Sequence, residues 1–173
     1  KDELAALFLE AAADLPLAVA ALDVETAVSA LAEPVETRLS DWGVWIGRAA
    51  PGLTPELADG LLRRLTNGRP RPTGRRALVV RKLADRAGDL EAWASSFTDE
   101  DQRRPEVGAV IAEGFARAGR PAKAREALER ARPRPAASPL RALRKTPPLL
   151  AERSDAWDQA EIAVLEAEGR GDE

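Results

Sequence analysis

The sequence predicts an all-α fold built from stacked antiparallel helical hairpins. Apolar residues recur at helical spacing, glycines and prolines punctuate the chain where helices would end or begin, and no stretch alternates as a strand would. Hydrophobic residues make up 45% of the 173 residues but aromatic residues only 4%, so the apolar surface is mostly Ala and Leu, which suits helices. The length fits one domain.

Two stretches carry the clearest helical pattern. Leucines recur at i, i+4, i+5 and i+8 in residues 57–65, and apolar residues recur at i, i+3, i+4, i+8 and i+11 in residues 107–118. Thr54 and Pro55 are typical of a helix start, and Gly68 of a helix end. Helices are predicted over residues 2–13, 16–31, 34–50, 55–66, 75–87, 89–97, 105–118, 121–131 and 155–168.

The positions of glycine and proline between the predicted helices indicate a single helical-repeat domain over residues 1–173. Its parts are N-terminal helices over 1–68, a basic Pro/Gly loop over 69–74, two repeat-like hairpins over 75–131, a Pro-rich connection over 132–154 and a C-terminal helix over 155–173. Because the chain begins at Lys1 and stops where a partner helix should start, we expect a longer parent protein and a truncated C-terminal helix.

Residues 107–131 predict a helical hairpin with its turn at Gly119. A large, a small and an aromatic residue precede the turn, and a small, a large and a small residue follow it, an order that resembles the tetratricopeptide repeat. The matching positions are Ile111, Ala112, Phe115, Gly119, Ala124, Leu128 and Ala131. Gly108 stands where that family has a Trp. Placing Gly88 on Gly119 suggests a degenerate preceding hairpin, so the resemblance implies an irregular right-handed solenoid.

The C-terminal half also carries short motifs in a fixed order. In chain order, these are a turn over 87–92, a helix start over 104–106, a second turn over 118–121 and a helix over 157–170. This order resembles a bacterial family known only as a domain of unknown function. The resemblance spans roughly residues 24–173 and implies bacterial origin and a helical-repeat fold, with no activity or catalytic residues.

The composition excludes most of the side chains that enzymes commonly use for catalysis. The chain has no His, Cys, Met or Tyr, which excludes imidazole bases, thiolate nucleophiles, disulfides and Cys/His zinc sites. The carboxylate pairs Glu33/Glu36 and Asp99/Asp101 are interpreted as surface acids in caps and turns. We therefore predict a protein that is not an enzyme, with no catalytic, cofactor-binding or metal-ligating residue and no cofactor.

The net charge of −3 hides a strongly basic middle segment. Eight cations occur in a stretch without one acid: Arg63, Arg64, Arg69, Arg71, Arg75, Arg76, Arg81 and Lys82. The favoured interpretation is a solvated loop whose cations pair with the acidic N-terminal third. The alternative is a surface for nucleic acid or another polyanion, with Arg forks on phosphates, although no aromatic residues are interleaved for base stacking.

Four Trp residues lie within helical apolar patterns, which favours core packing. Trp42 and Trp45, beside Gly43 and Gly47, are the best candidates to line a groove instead.

Taken together, these observations predict a non-catalytic adaptor or scaffold that binds another protein or peptide. A nucleic-acid or polyanion-binding module that uses residues 63–82 is the alternative. An accessory subunit of an enzyme would share the adaptor's sequence features. No run approaches the roughly 18 consecutive apolar residues of a membrane span, so no membrane partner is predicted and a cytoplasmic location is expected.

Overall fold

The computed structural model describes residues 22–132 and 149–169, and every regular element in these ranges is helical. The helices are α1 (Val24–Thr37), α2 (Leu39–Ala49), α3 (Pro55–Thr66), α4 (Gly74–Ala87), α5 (Leu90–Ser95), α6 (Asp99–Gln102), α7 (Pro105–Arg117), α8 (Pro121–Ala131) and α9 (Leu149–Gly169). A 3-10 turn, Ala50–Gly52, follows α2. The all-α prediction is confirmed for these residues. The helix predicted over 2–13 lies outside them.

Contacts divide the chain into two compact units, Lys1–Phe97 and Thr98–Glu173. The first unit contains α1 to α5 and the second contains α6 to α9. Each unit has its own buried apolar residues.

The core of the first unit forms around α3 and α4. Helix α3 packs against α1 and α4, and α4 also packs against α2 and α5. The leucines that predicted α3 are all buried in this core. Trp45 and Ile46 of α2 are buried beside them, which closes the apolar interior of the unit.

The start of α3 shows how local chemistry fixes a helix boundary. The Thr54 side chain accepts a hydrogen bond from the backbone N–H of Leu57 at 3.2 Å, which satisfies one of the donors that a helix start leaves unpaired. Pro55 occupies the first helical position, where a missing N–H costs nothing. The helix predicted over 55–66 therefore matches α3 at both ends.

The predicted break before Pro34 is wrong, because α1 continues through this proline and ends at Thr37. The lost N–H would have bonded to the carbonyl of Ala30, which lies on an exposed part of the helix where water can replace it. Beyond Pro34 the helix resumes its bonds, since the Arg38 N–H donates to the Pro34 carbonyl at 2.9 Å. The next helix, α2, begins only at Leu39.

Three helices make most of the second unit. Helices α7 and α8 form a hairpin, and α9 packs against both of them. Each helix contributes a stripe of small and large apolar residues to the interior. The buried residues are Ala109, Ile111, Ala112, Phe115 and Ala116 from α7, Ala124, Ala127, Leu128 and Ala131 from α8, and Ala160, Val164 and Ala167 from α9.

Two helix boundaries differ from the sequence prediction. Helix α5 ends at Ser95, and the separate short helix α6 starts after Thr98, which forms a reciprocal capping box with Asp101. Helix α9 begins at Leu149, six residues before its predicted start.

The turns after α4 and α7 have the same geometry. Gly88 and Gly119 both adopt a positive φ, +73° and +67°. In each turn the residue after the glycine donates a backbone hydrogen bond five residues back, Asp89 to Ala84 and Arg120 to Phe115, both at 2.9 Å. This is the Schellman motif, in which a left-handed residue lets the chain leave the helix while its last carbonyls stay paired.

Candidate binding surfaces

The basic stretch over residues 63–82 divides by what its side chains contact. The side chains of five of the eight cations bond to other groups of the first unit, and those of the other three make no hydrogen bond or ion pair with a described residue. All eight lie on α3, on α4 or in the loop between them. The stretch is therefore not one continuous cationic surface.

Arg71 and Arg81 hold the end of α5. The Arg71 Nε donates to the Ser95 carbonyl at 2.9 Å, and its guanidinium also bonds to the Phe97 carbonyl. The Arg81 guanidinium donates to the hydroxyl and the carbonyl of Ser96, at 3.0 and 3.3 Å, and stacks 3.6 Å from the centroid of the Phe97 ring. Both arginines thus satisfy carbonyls that the last turn of a helix leaves unpaired.

Two further arginines do the same elsewhere in the first unit. Arg76 of α4 donates to the carbonyl of Leu65 in the last turn of α3. Arg86, also on α4, donates to the carbonyl of Leu53 at 2.6 Å. Helix α4 therefore projects three guanidinium groups onto backbone carbonyls of its neighbours.

Arg63 and Arg69 form ion pairs with carboxylates from residues 1–59. Arg63 bonds to Asp59 one turn earlier on α3, at 2.9 Å, and Arg69 bonds to Glu36 of α1 at 2.5 Å. These two pairs agree with the interpretation that the cations neutralise the acidic N-terminal third.

The other three cations of the stretch point away from these contacts. Within residues 22–132 and 149–169, Arg64, Arg75 and Lys82 make no hydrogen bond or ion pair. On α4, Leu78 and Lys82 follow Arg75 by three and seven residues, so the three lie along one side of the helix. All three side chains are exposed.

A cleft of about 540 Å³ opens between α1 and α3. Its lining residues are Glu25, Val28 and Ser29 of α1, Gly60, Arg63 and Arg64 of α3, and Asn67 and Arg69 of the following loop. The cleft brings together three of the eight predicted cations. It also gathers polar residues that sequence reasoning missed, because Ser29 and Asn67 lie far apart in the chain and carry no motif.

Gly60 brings the backbone of α3 close to α1 in this cleft. A Cβ atom on Gly60 would lie 2.5 Å from the Val28 Cγ2, and 3.8 Å from the Val24 Cγ1. The glycine thus permits the approach of the two helices.

Trp45, one of the two tryptophans predicted to line a groove, does not line one. Its side chain is only 1% exposed and belongs to the core of the first unit. The Trp42 side chain lies outside the described part of the structure. Of the other two tryptophans, Trp93 makes an edge-to-face contact with Phe97, with ring centroids 5.0 Å apart, and Trp157 is half-buried.

The seven repeat positions come together in the hairpin of α7 and α8. Six of them are buried side chains on the two helices, and the seventh, Gly119, forms the turn between them. Gly108, at the position where the repeat family has Trp, is buried against α8. The residues therefore act as packing and turn positions.

Among the described side chains of the second unit, the exposed large apolar ones are Val110 of α7 and Ile162 and Leu165 of α9. Ile162 and Leu165 are each 56% exposed, and they lie on the side of α9 opposite to the buried Ala160 and Val164. The exposed positions of α8, by contrast, are mainly Lys, Arg and Glu. The outward side of α9 thus carries two exposed large apolar residues, Ile162 and Leu165, among acidic side chains that include Asp158.

The model of a family of unknown function, DUF6880, matches residues 66–173, more than half of the chain. The chain belongs to this family. The expected resemblance to a domain of unknown function is thereby confirmed. No curated protein and no solved structure matches the chain.

The DUF6880 segment begins at the last residue of α3. It includes α4, the hairpin of α7 and α8, and α9, whereas Arg63, Arg64 and the tryptophan pair precede it. In the described residues of this DUF6880 protein, no helix is long and apolar enough to cross a membrane. Those residues also contain no group of three or more acidic side chains placed to hold a metal ion.

Proposed function

We propose that this DUF6880 protein is a non-catalytic adaptor that binds another protein or peptide through tetratricopeptide-like helical repeats. The observation that carries the proposal is the pair of exposed apolar residues Ile162 and Leu165 on the outward side of α9. A helix on the surface of a folded unit normally has one apolar stripe, which faces the core. Neighbouring large apolar side chains that the unit leaves exposed offer an anchor point for a partner.

The repeat interpretation is supported by the two Schellman turns. Gly88 and Gly119 lie 31 residues apart, close to the period of the repeat, and both adopt the same left-handed conformation. Each follows a helix with a buried apolar stripe and precedes another helix. We therefore propose that the two hairpins are copies of one repeat, the first of them shortened by the early end of α5.

The charges around the α9 face define the chemistry of the partner. Glu161 and Glu166 are exposed next to Ile162 and Leu165. A partner helix with two apolar residues at helical spacing, flanked by Lys or Arg, would complement this face. We infer that the adaptor binds an amphipathic, basic segment.

The experiment uses photo-crosslinking from single positions of the intact chain. A photoreactive residue at Ile162, on the proposed face, is compared with one at Ala122, which is exposed on the polar face of α8. In lysate of the source organism we expect a discrete protein adduct from position 162 and none from position 122. The I162D/L165D variant should lose the partner while its melting temperature stays unchanged.

Equal adduct patterns from positions 162 and 122 would contradict the proposal. So would a purified partner that binds I162D/L165D as tightly as the unmodified chain. Binding measured by calorimetry with that purified partner separates loss of contact from loss of folding.

Nucleic-acid binding through residues 63–82 is less well supported. Five of the eight cations are engaged in contacts within the first unit, which leaves few for the phosphate contacts that dominate such binding. Titration of labelled single-stranded and duplex nucleic acid at low salt tests this alternative directly. Salt-sensitive binding that the R64Q/R75Q/K82Q variant loses would favour it over the adaptor.

A further inference from the structure

The α1–α3 cleft presents two walls of different chemistry. On one wall Arg63, Arg64, Arg69 and the amide of Asn67 offer hydrogen-bond donors. The Arg63 and Arg69 guanidinium groups are held in place by Asp59 and Glu36. Arg64 makes no such pair with any described residue, and the Asn67 side chain makes no hydrogen bond there. This wall therefore has donor capacity left for an anion.

The opposite wall carries the Glu25 carboxylate and the Ser29 hydroxyl, both on α1. Neither side chain makes a hydrogen bond with another described residue. An ionised carboxylate accepts hydrogen bonds and donates none. A ligand that fills the cleft must therefore offer an anionic acceptor to one wall and hydrogen-bond donors to the other.

We propose that this cleft binds a small phosphate monoester that also carries hydroxyl groups. The phosphate accepts hydrogen bonds from Arg64 and Asn67, since the planar guanidinium fork matches phosphate oxygens. The hydroxyl groups of the ligand donate to Glu25. Val28 and Gly60, which also line the cleft, add a small apolar surface to it. The site lies in the first unit and is independent of the α9 surface.

The same features argue against a long polyanion in this cleft. A nucleic acid presents further phosphates along its length, whereas the wall opposite Arg64 carries the negative charge of Glu25. Like charges across a site disfavour binding. The size of the cleft, about 540 Å³, lies within the range of small-molecule sites.

The test is a titration of the isotope-labelled full chain with three probes, followed by the side-chain resonances of Asn67 and of the arginine Nε–H groups. The probes are glycerol 3-phosphate, inorganic phosphate and glycerol. We expect saturable shifts at Asn67 and Arg64 with both phosphates, tighter binding of glycerol 3-phosphate and no shift with glycerol. R64Q should weaken both phosphates about tenfold, the loss of one charge-assisted hydrogen bond.

Two matched variants make the result specific. R75Q removes an arginine whose side chain also makes no hydrogen bond or ion pair with a described residue but lies outside the cleft, and it should leave both affinities unchanged. E25Q removes the repelling charge, so it should strengthen inorganic phosphate binding while reducing the preference for glycerol 3-phosphate. The side chains of Arg64, Arg75 and Glu25 are exposed, so none of the three substitutions should change the melting temperature.

Several results would overturn the proposal. These are no saturable shift at Asn67, an equal loss of affinity in R64Q and R75Q, or an unchanged preference for glycerol 3-phosphate in E25Q. A phosphoserine peptide that binds more tightly than glycerol 3-phosphate would also overturn it, because the cleft would then recognise a protein partner.

Discussion

Gly108 of α7 packs directly against Ala131 of α8. A Cβ atom placed on Gly108 would lie 2.1 Å from the Cβ of Ala131 and 3.3 Å from the carbonyl oxygen of Ala127. No side chain fits at position 108 unless the two helices move apart. Gly108, where the tetratricopeptide pattern would have Trp, thus permits the close approach of α7 and α8.

We expect G108A to destabilise the protein by about 1–3 kcal/mol, the usual cost of overpacking a close helix contact. Urea unfolding measures this difference. The control is G47A, since Gly47 is an exposed glycine inside α2 with no atom within 4 Å of its Cβ position. G47A should raise the free energy of unfolding by about 0.5–1 kcal/mol. If G108A were as stable as G47A, the two helices would not approach this closely.

Substitution of either Schellman-turn glycine should lower the stability of the protein because of backbone conformation alone. Gly88 and Gly119 have positive φ, and nothing lies within 4 Å of either Cβ position. G88A and G119A should each lower the free energy of unfolding by about 1 kcal/mol, the cost of a left-handed conformation for a residue with a Cβ. G119N should cost less, because Asn adopts this conformation more readily. Equal stability of G119A and the unmodified chain would show that the turn does not require positive φ.

The sequence predicted α3 and α8 well because their boundaries depend on local chemistry. Thr54 caps one helix, and Pro55 and Pro121 occupy the first positions of the two. The same reasoning failed at Pro34, where a proline near the end of a helix costs only one hydrogen bond to an exposed carbonyl. The sequence rule that proline ends a helix therefore does not include the free-energy cost of the lost hydrogen bond, which depends on how exposed the acceptor carbonyl is.

The contacts of the basic stretch could not be predicted from the sequence. Arg71, Arg76 and Arg81 bond to backbone carbonyls between 11 and 26 residues away. Every residue has such a carbonyl, so no pattern of side chains marks the acceptor. Only the packing of α4 and the loop before it against their neighbours selects it. The cleft between α1 and α3 was missed for the same reason, since Glu25 and Arg64 meet only in the folded chain.

Arg81 should be the most sensitive arginine of the basic stretch. Its guanidinium bonds to Ser96, which is 2% exposed, and stacks on the ring of Phe97. Lys has a single ammonium group and cannot keep both hydrogen bonds and the stacking, so R81K should cost about 1–3 kcal/mol. Urea unfolding of R81K beside R75K tests this prediction, because the Arg75 side chain makes no hydrogen bond or ion pair with a described residue and R75K should leave stability unchanged. Equal stability of the two variants would contradict a structural role for Arg81.

The ion pair between α8 and α9 should make the stability of the protein depend on pH in the acid range. The Arg125 Nε donates to the Glu168 Oε1 at 2.5 Å, and a second hydrogen bond joins the same two groups. Hydrogen bonding from Arg125 keeps the pKa of Glu168 below its ordinary value. As the pH falls, the carboxyl group in the unfolded chain therefore binds its proton before the same group in the folded chain does.

The contribution of this pair is complete above the unfolded-state pKa of Glu168 and disappears as the pH falls through its lower folded-state pKa. E168Q should therefore be less stable than the unmodified chain at neutral pH, and the difference should shrink to a constant in acid. Urea unfolding at a series of pH values measures it. D155N is the control, because Asp155 is exposed on the same helix and its side chain makes no hydrogen bond or ion pair with a described residue. A difference between E168Q and the unmodified chain that did not change with pH would show that Glu168 acts through packing and not through its charge.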